Sequence, residues 1–275
     1  MKKKIKLLIK ILFIFAAFYI IFQKVDINEL KNIKLHNPLF LFLAFIFYNA
    51  SQIISTLRIH IYLKNINVTP SFKKQLMLYY VGMFYSTILP GGIGGEVYKA
   101  YKFQKKYKKG YKKIIKALLI DRISGLFAIM FLTGIIIFIS SFRQFVWVIG
   151  FLIVIAPFGL YFLHKTLFLE FDFYPFLYSV IIQLFQGLSF LAILLSLGIK
   201  EHLIDLIILF FISSIISAIP ISIGGVGLRE LTFLYGLEYL HLNPATGVVA
   251  AFLFFVISLI SSAIGILFLK GVEDV

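Results

Sequence analysis

PGGIGGEVYK, residues Pro90–Lys99, decides the fold because it returns 130 residues later as PISIGGVGLR, residues Pro220–Arg229. Each copy interrupts a long apolar segment at the corresponding place in its half of the chain. Paired interruptions of this kind are the best indication in a sequence of a transporter binding site. The two copies share a proline, a glycine pair and a final cation: Pro90 and Pro220, Gly94-Gly95 and Gly224-Gly225, Lys99 and Arg229.

The composition is that of a membrane protein. Hydrophobic residues make up 61% of the 275 residues, aromatic residues 17%, and the mean hydropathy is +0.99. This apolar content exceeds what a soluble core of the same size buries. We therefore predict an all-α polytopic membrane protein. The absence of cysteine excludes disulfides, thiolate metal sites and thiol nucleophiles.

Six apolar runs are long enough to cross a bilayer, which takes about 17 to 25 residues. The first run follows a basic N-terminus that is similar to a signal peptide, but no cleavage site follows, so we expect it to be retained as a span. The predicted crossings are Ile5–Phe22, Pro38–Ile61, Ile114–Ser140, Phe145–Leu163, Pro175–Leu197 and Ala245–Leu269.

Two further apolar stretches lead directly into the glycine motifs. Leu76–Leu89 continues as a short helical piece near Glu96–Phe103, and Leu203–Ile219 continues near Leu228–Leu240. Proline ends a helix and glycine permits sharp changes of backbone direction. We predict that these stretches form two broken or re-entrant helical hairpins.

The net charge of +15 orients the segments, because lysine and arginine concentrate in cytoplasmic loops. Lysines in residues 2–10 place the N-terminus in the cytoplasm, and the nine lysines of Lys99–Lys116 return the first hairpin to that side. Each half then has three crossings, an odd number, so the second half is inverted. We predict a single membrane domain, residues 1–275, with half-repeats 1–142 and 143–275. It would lie in the cell membrane with both termini cytoplasmic.

The glycines of the two motifs are candidate binding residues. Glycine lets other groups approach the backbone closely, and free N–H groups beside a helix N-terminus hold anions such as a lipid phosphate. The alternative is a kink that serves only tight helix packing, and the presence of two matched copies favours the site. The candidates are Gly91, Gly92, Gly94 and Gly95 in the first copy and Gly224, Gly225 and Gly227 in the second.

Charged residues next to the glycines extend the candidate site. Lys99 and Arg229 lie in the first turn of a predicted helix, where a cation opposes the helix dipole and favours an anionic ligand. Glu96 and Glu230 either cap these helices and pair with the cations, or bind a cationic headgroup or carry a proton. Three further charged residues at predicted span ends are secondary candidates: Arg58, Asp121 and Arg122. For these, snorkelling or a simple ion pair is the alternative to a role in the site.

The lysines and tyrosines of Lys99–Lys116 form a basic, aromatic run. In a soluble protein such a run would suggest nucleic acid. Here membrane segments flank it, so we expect anionic lipid headgroups and no nucleic acid as partners. The alternative is that the run only orients the chain. The sequence does not indicate an oligomeric state.

No familiar catalytic or metal-binding pattern occurs. There is no Walker A sequence, no G-x-S-x-G, no H-E-x-x-H and no D-x-D, and the histidines have no metal-ligand spacing. We therefore expect no catalytic residues, no metal and no cofactor. Glu170 and Asp172 form the single E-x-D, which either marks a metal-dependent transferase site or is a pair of solvated loop charges.

Four stretches carry a resemblance to a known family: STLRIHIYL (Ser55–Leu63), LPGGIGGEVYKAY (Leu89–Tyr101), DRISGL (Asp121–Leu126) and GGVGLRE (Gly224–Glu230). At these residues the sequence resembles the flippase-like membrane family that also forms the membrane region of lysylphosphatidylglycerol synthases. The resemblance implies an α-helical bundle with inverted halves that moves a phospholipid or related lipid between leaflets.

The sequence departs from the family pattern in two places. Ile59 replaces the usual aromatic after the arginine of the second span, and the second motif has Pro-Ile-Ser-Ile where Pro-Gly-Gly is usual. The synthases of the family carry an aminoacyl-transferase domain after the membrane region. Because the last apolar run ends close to Val275, we expect no such domain here.

The predicted function is a flippase or scramblase-like lipid transporter. Its substrate would be an anionic or aminoacylated phospholipid or a polyprenyl-phosphate lipid. Two alternatives stay open at this point: a membrane enzyme or enzyme subunit that acts on lipid-linked substrates, and a non-transporting membrane partner of another enzyme.

Overall fold

The computed structural model describes residues 2–25, 33–88, 94–167, 172–218, 222 and 225–273, and this part of the chain contains helices and no strand. Its ten α-helices are α1 (Lys2–Lys24), α2 (Pro38–Lys64), α3 (Phe72–Ile88), α4 (Gly94–Tyr107), α5 (Tyr111–Ile136), α6 (Val146–Leu167), α7 (Tyr174–Ser196), α8 (Leu203–Ser217), α9 (Leu228–Tyr239) and α10 (Ala245–Ala263). Short 3-10 helices follow α5 and α10: Ile137–Ile139, Arg143–Phe145, Ile264–Phe268 and Lys270–Val272.

Within the described residues, four helical segments are long and apolar enough to cross a membrane: Pro38–Lys64, Tyr111–Ile139, Tyr174–Ser196 and Ala245–Phe268. They coincide with four of the six predicted crossings, and the predicted all-α class is confirmed. The other two predicted crossings fall on α1 and α6, where some side chains lie outside the described residues. The complete six-crossing layout stays a prediction.

Helix boundaries follow local sequence. Asn37 caps α2 by accepting a hydrogen bond from the Leu39 amide at 3.0 Å, and Pro38 occupies the first helical turn. The chain leaves α2 through Asn67, which has a φ of 57°. Between α4 and α5, Gly110 has a φ of 91°, a conformation that favours glycine.

Helices α3 and α4 form an antiparallel hairpin. The Gly95 amide donates to Ser86 Oγ at 3.2 Å near the tip, and the rings of Tyr85 and Tyr98 lie 4.4 Å apart further along. A Cβ at Gly95 would lie 1.9 Å from the carbonyl oxygen of Gly82. Only glycine therefore permits this approach of the two helices.

Helices α8 and α9 form the equivalent hairpin in the second half. Arg229 Nη1 donates to Ser214 Oγ at 2.9 Å, and Gly236 lies against Leu209 further from the tip. The predicted breaks therefore fall between two antiparallel helices in each half. The tips themselves, residues 89–93, 219–221 and 223–224, lie outside the described residues.

Each hairpin enters and leaves at the same end of the bundle. In the first hairpin, Met77 of α3 contacts Gly271, and Lys102 of α4 donates to the carbonyl oxygen of Val272 at 2.7 Å. In the second, Asp205 of α8 accepts a hydrogen bond from the Ser141 amide at 2.8 Å, and the Tyr239 ring of α9 stacks on Phe142. The first hairpin thus starts beside the end of α10 and the second beside the end of α5.

The most extensive helix pair joins α2 to α7, which hold the same place in the two halves. The His36 amide, just before α2, donates to the carbonyl oxygen of Ser196 at the end of α7 at 2.8 Å. Further along, Ser189 Oγ donates to the carbonyl oxygen of Ala44 at 2.8 Å. The two helices therefore run antiparallel.

An aromatic cluster in the second half supports the interior. Phe190 of α7 stacks on Phe210 of α8 with ring centroids 4.6 Å apart, and Phe233 of α9 lies 5.3 Å from Phe190. Phe254 of α10 meets Phe210 edge to face at 4.7 Å. Offset and edge-to-face contacts of this kind stabilise a core beyond the area they bury. Two rings of the cluster, Phe210 and Phe254, contact the guanidinium of Arg229.

Candidate functional site

A polar cavity of about 320 Å³ lies between the two hairpins and α2, α5, α7 and α10. Its size is at the lower end of the usual range for small-molecule sites. Both halves of the chain contribute to it, and its charged residues are candidates that the sequence identified. They are Arg58, Glu96, Lys99, Asp121, Arg122 and Arg229.

Lys99 and Glu96 are one turn apart on α4 and pair inside the cavity. Lys99 Nζ lies 2.9 Å from Glu96 Oε1, and Arg122 Nε of α5 reaches the same oxygen at 3.3 Å. The Lys99 residue is only 5% exposed, and its aliphatic carbons run along Gly82, which has no side chain to obstruct them. The ammonium group lies 4.9 Å from the centre of the Tyr79 ring. This arrangement holds a buried cation at the cavity wall.

Arg58 and Asp121 form a buried pair between α2 and α5. Arg58 Nε donates to Asp121 Oδ1 at 2.8 Å, and Arg58 Nη1 donates to Ser179 Oγ of α7 at 2.9 Å. Gly125, one turn beyond Asp121, leaves room for the guanidinium, because a Cβ there would lie 3.1 Å from Arg58 Nη1. Arg58 and Asp121 therefore form an ion pair and also line the cavity.

Arg229 enters the cavity from the second hairpin. It donates to Ser214 Oγ at 2.9 Å, and its guanidinium lies 5.1 Å from the ring centre of Phe254 and 5.7 Å from that of Phe210. Within the described part of the chain, no carboxylate oxygen lies within 4.0 Å of its nitrogens. Cation–π contacts hold the guanidinium without neutralising it. Its charge is therefore available to an anion.

Glu230, although next to Arg229 in sequence, lies outside the cavity. Its Oε2 accepts a hydrogen bond from the Gly227 amide at 2.7 Å, and the residue is completely buried. Gly227 has a φ of 85° and lies against Ala17 of α1. The structure therefore places Glu230 as the cap of α9, one of the two roles considered for it, and its carboxylate occupies a backbone donor of that helix end.

The candidate glycines divide into described and undescribed positions. Gly94 begins α4, Gly95 forms the tight contact with Gly82, and Gly225, with a φ of 83°, lies against Ser217. Gly91, Gly92 and Gly224 lie outside the described residues. Gly95, Gly225 and Gly227 allow neighbouring groups to approach the backbone closely.

Sequence reasoning missed the uncharged lining of the cavity. Isolated polar residues within apolar helices were the available signal, because a buried polar group needs a partner. Aromatic residues carried no signal, since they occur throughout the chain. The lining residues missed in this way are Tyr48, Tyr79, Ser86, Thr87, Gln186, Phe254, Ser258 and Ser262.

The basic run divides between buried and exposed lysines. Lys99 and Lys102 are buried, and Lys102 donates to carbonyl oxygens of the C-terminal segment at 2.7 and 3.2 Å. The exposed set follows in the end of α4, the connection and the start of α5: Lys105, Lys106, Lys108, Lys109, Lys112 and Lys113.

Metal-ligand clusters of three or more His, Asp or Glu side chains are absent from the described residues. Asp172 of the E-x-D accepts a hydrogen bond from the Tyr174 amide at 2.9 Å, and Glu170 lies outside the described residues.

A model of one protein family, described as the lysylphosphatidylglycerol synthase TM region, matches residues 7–172 and residues 169–265 of the chain. The matched residues include every charged residue of the cavity. Comparison with curated proteins and with solved structures gave no match.

Proposed function

The chain belongs to the lysylphosphatidylglycerol synthase TM region family, and from that premise we propose that it is a membrane transporter that moves a phosphate-bearing lipid between leaflets. The substrate class is an anionic or aminoacylated phospholipid or a polyprenyl-phosphate lipid. The cavity would hold the polar headgroup while the acyl or prenyl chains stay in the surrounding hydrocarbon.

One observation carries the proposal. Lys99 and Arg229, the final cations of the two repeated motifs, line the same cavity although they belong to different halves of the chain. Ionisable residues inside apolar helical bundles are costly and mark substrate pathways in membrane proteins. A cavity lined by cations from both repeats is suited to a phosphate group that must leave water.

The hairpin arrangement supports movement as well as binding. The first hairpin packs against the end of α10 and the second against the end of α5, so each hairpin belongs to one half and rests on the other. The antiparallel course of α2 and α7 supports an inverted repeat. In inverted-repeat transporters, one repeat moves against the other around a fixed site. We propose that the hairpins are re-entrant and open the cavity alternately to the two leaflets.

The charge distribution supports the proposed orientation. The exposed lysines between α4 and α5 would face the cytoplasm and the anionic headgroups of the inner leaflet. In that orientation both termini are cytoplasmic, and the plasma membrane is the proposed location.

The test is transport by purified protein in proteoliposomes. Vesicles would carry a labelled phosphatidylglycerol or a labelled polyprenyl phosphate in one leaflet, and the initial rate of its appearance in the other leaflet would be measured. Lys99→Met and Arg229→Gln should each lower that rate at least about tenfold, since loss of a charge-assisted contact is worth about 1.5 to 3 kcal/mol.

Matched variants outside the cavity serve as controls. Lys105→Met removes an exposed lysine of the same helix as Lys99, and Arg143→Gln removes an exposed arginine that begins a 3-10 helix. Both should transport at the wild-type rate. A wild-type rate equal to that of protein-free vesicles, or equal rates for Arg229→Gln and Arg143→Gln, would refute the proposed function.

A further inference from the structure

The cavity carries an excess of positive charge. Among the described residues, four cations and two carboxylates line it, so its formal net charge is +2 when each group has its ordinary charge. Residues 89–93, 219–221 and 223–224, which the structure does not describe, contain no ionisable side chain in the sequence. A ligand of net negative charge would compensate this excess, and a ligand of net positive charge would add to it.

One carboxylate oxygen of Glu96 is paired with cations, and the other has no hydrogen-bond partner among the described residues. Lys99 and Arg122 both contact Oε1. Oε2 is enclosed and has no hydrogen-bond partner within the described part of the chain. A buried carboxylate oxygen without a donor is unfavourable, and a ligand that supplies an O–H or N–H group would relieve this.

Resting on the function proposed above, we propose that the cavity selects a net-anionic phosphodiester headgroup that carries a hydroxyl group, with Glu96 Oε2 as the atom that determines specificity. The phosphate oxygens accept from Arg229 of the second hairpin, from Lys99 of the first hairpin and from Arg122 of α5. The hydroxyl donates to Glu96 Oε2.

The charge balance separates this headgroup from an aminoacylated one. A hydroxyl satisfies Oε2 without changing the charge of the ligand. A lysyl ester adds two ammonium groups to a phosphodiester of charge −1, so the headgroup becomes net positive. Four cations of the described lining then surround a positive ligand, and two described carboxylates oppose them. The cavity therefore disfavours lysylphosphatidylglycerol, the lipid after which the family is named.

Competition binding in lipid nanodiscs, read out by native mass spectrometry, tests this assignment. Phosphatidylglycerol is compared with phosphatidylmethanol, which has the same charge but no hydroxyl, and with lysylphosphatidylglycerol. Wild-type protein should prefer phosphatidylglycerol on the order of tenfold over phosphatidylmethanol, the ratio expected from one hydrogen bond to a charged group. It should also prefer phosphatidylglycerol over lysylphosphatidylglycerol, because the cavity repels the added positive charge. Free sn-glycerol 3-phosphate should compete far more weakly than the lipid.

Glu96→Ala should bring the ratio of phosphatidylglycerol to phosphatidylmethanol binding close to one. Glu238→Ala, which removes a half-exposed carboxylate paired with Lys24, should leave the ratio unchanged. The ratio is measured within one protein sample, so a lower yield of folded variant does not alter it.

Three results would overturn the assignment: lysylphosphatidylglycerol binding as tightly as phosphatidylglycerol, an unchanged ratio in Glu96→Ala, or free sn-glycerol 3-phosphate binding as tightly as the lipid. Each leaves the transport function intact. Conversely, the predicted binding order in a protein that transports no lipid would support this assignment while refuting the transport function.

Discussion

Arg58 Nε lies 2.8 Å from Asp121 Oδ1, and both side chains are more than nine-tenths buried, at 7% and 6% exposure. The pair joins α2 to α5 at the cavity wall. A third group, Ser179 of α7, accepts from the guanidinium. A buried ion pair that is satisfied in this way is costly to break from one side, because the remaining charge keeps its burial and loses its partner.

We therefore expect Asp121→Ala to destabilise the protein by about 3 to 5 kcal/mol. Replacing both members, as Arg58→Met with Asp121→Ala, should recover part of that loss because no uncompensated charge remains. The measurement is the unfolding free energy in mixed detergent micelles. Lys24→Ala is the control: it breaks a pair with Glu238 whose side chains are 39% and 36% exposed. Pairs with that exposure contribute about 1 kcal/mol or less. Equal losses for the two single variants would contradict the structural role of the buried pair.

Gly95→Ala tests the closure of the first hairpin. The added Cβ would lie 1.9 Å from the carbonyl oxygen of Gly82, a backbone atom that cannot move without shifting α3. We expect a loss of at least about 3 kcal/mol, the upper end for overpacking. Gly187→Ala in α7 is the matched control, since its Cβ would meet Phe211 at an ordinary 3.4 Å. Thermal unfolding of the two variants in detergent compares them directly, and similar midpoints would show that α3 and α4 are not so closely packed.

The hairpins could be predicted because their sequence signal is local. A proline and glycines interrupt each apolar segment, and the cations that follow stand at equivalent positions. Equivalent positions in the two motifs predicted that Lys99 and Arg229 belong to one site, and both line the same cavity. The approximate bounds of four long helices followed as directly, from apolar length.

The inward faces of the helices could not be predicted in the same way. A helix in a membrane is apolar on its lipid-facing side as well as on its packed side, so periodicity does not identify which residues line a cavity. Tyr79 and Phe254 were missed for this reason. Glu96 and Glu230 show a second limit, because both occupy the first turn of a helix. Whether such a carboxylate caps the helix or enters the cavity depends on the side-chain direction and on the φ of 85° at Gly227.

Glu230→Gln separates capping from binding. The amide oxygen can still accept from the Gly227 amide, so we expect a transport rate close to that of the wild-type protein. Glu230→Ala removes the cap and should cost about 1 kcal/mol of stability. Rates in proteoliposomes and unfolding midpoints are measured on the same preparations. A Gln variant that folds normally but transports at least about tenfold more slowly would instead assign Glu230 a direct part in transport.

Lys102→Met tests the attachment of the C-terminal segment to the first hairpin. Lys102, only 8% exposed, donates to the carbonyl oxygens of Val272 and Glu273 at 2.7 and 3.2 Å. Methionine retains much of the apolar length of the side chain but leaves those carbonyls without this donor. We expect faster amide hydrogen exchange in residues 264–273. Local opening of this segment costs less free energy in the variant, because no charge-assisted bonds from Lys102 have to break.

The exchange rates of α2 and α7 should stay unchanged in this variant, because the hydrogen bonds from Lys102 to Val272 and Glu273 hold the C-terminal segment and not these helices. Lys105→Met on the exposed side of α4 is the control and should exchange like the wild-type protein. Loss of about 1.5 to 3 kcal/mol of local stability corresponds to exchange accelerated by roughly ten- to a hundredfold. If exchange in residues 264–273 is the same in both variants, the contact between Met77 and Gly271 suffices to hold the segment, and Lys102 serves another purpose in α4.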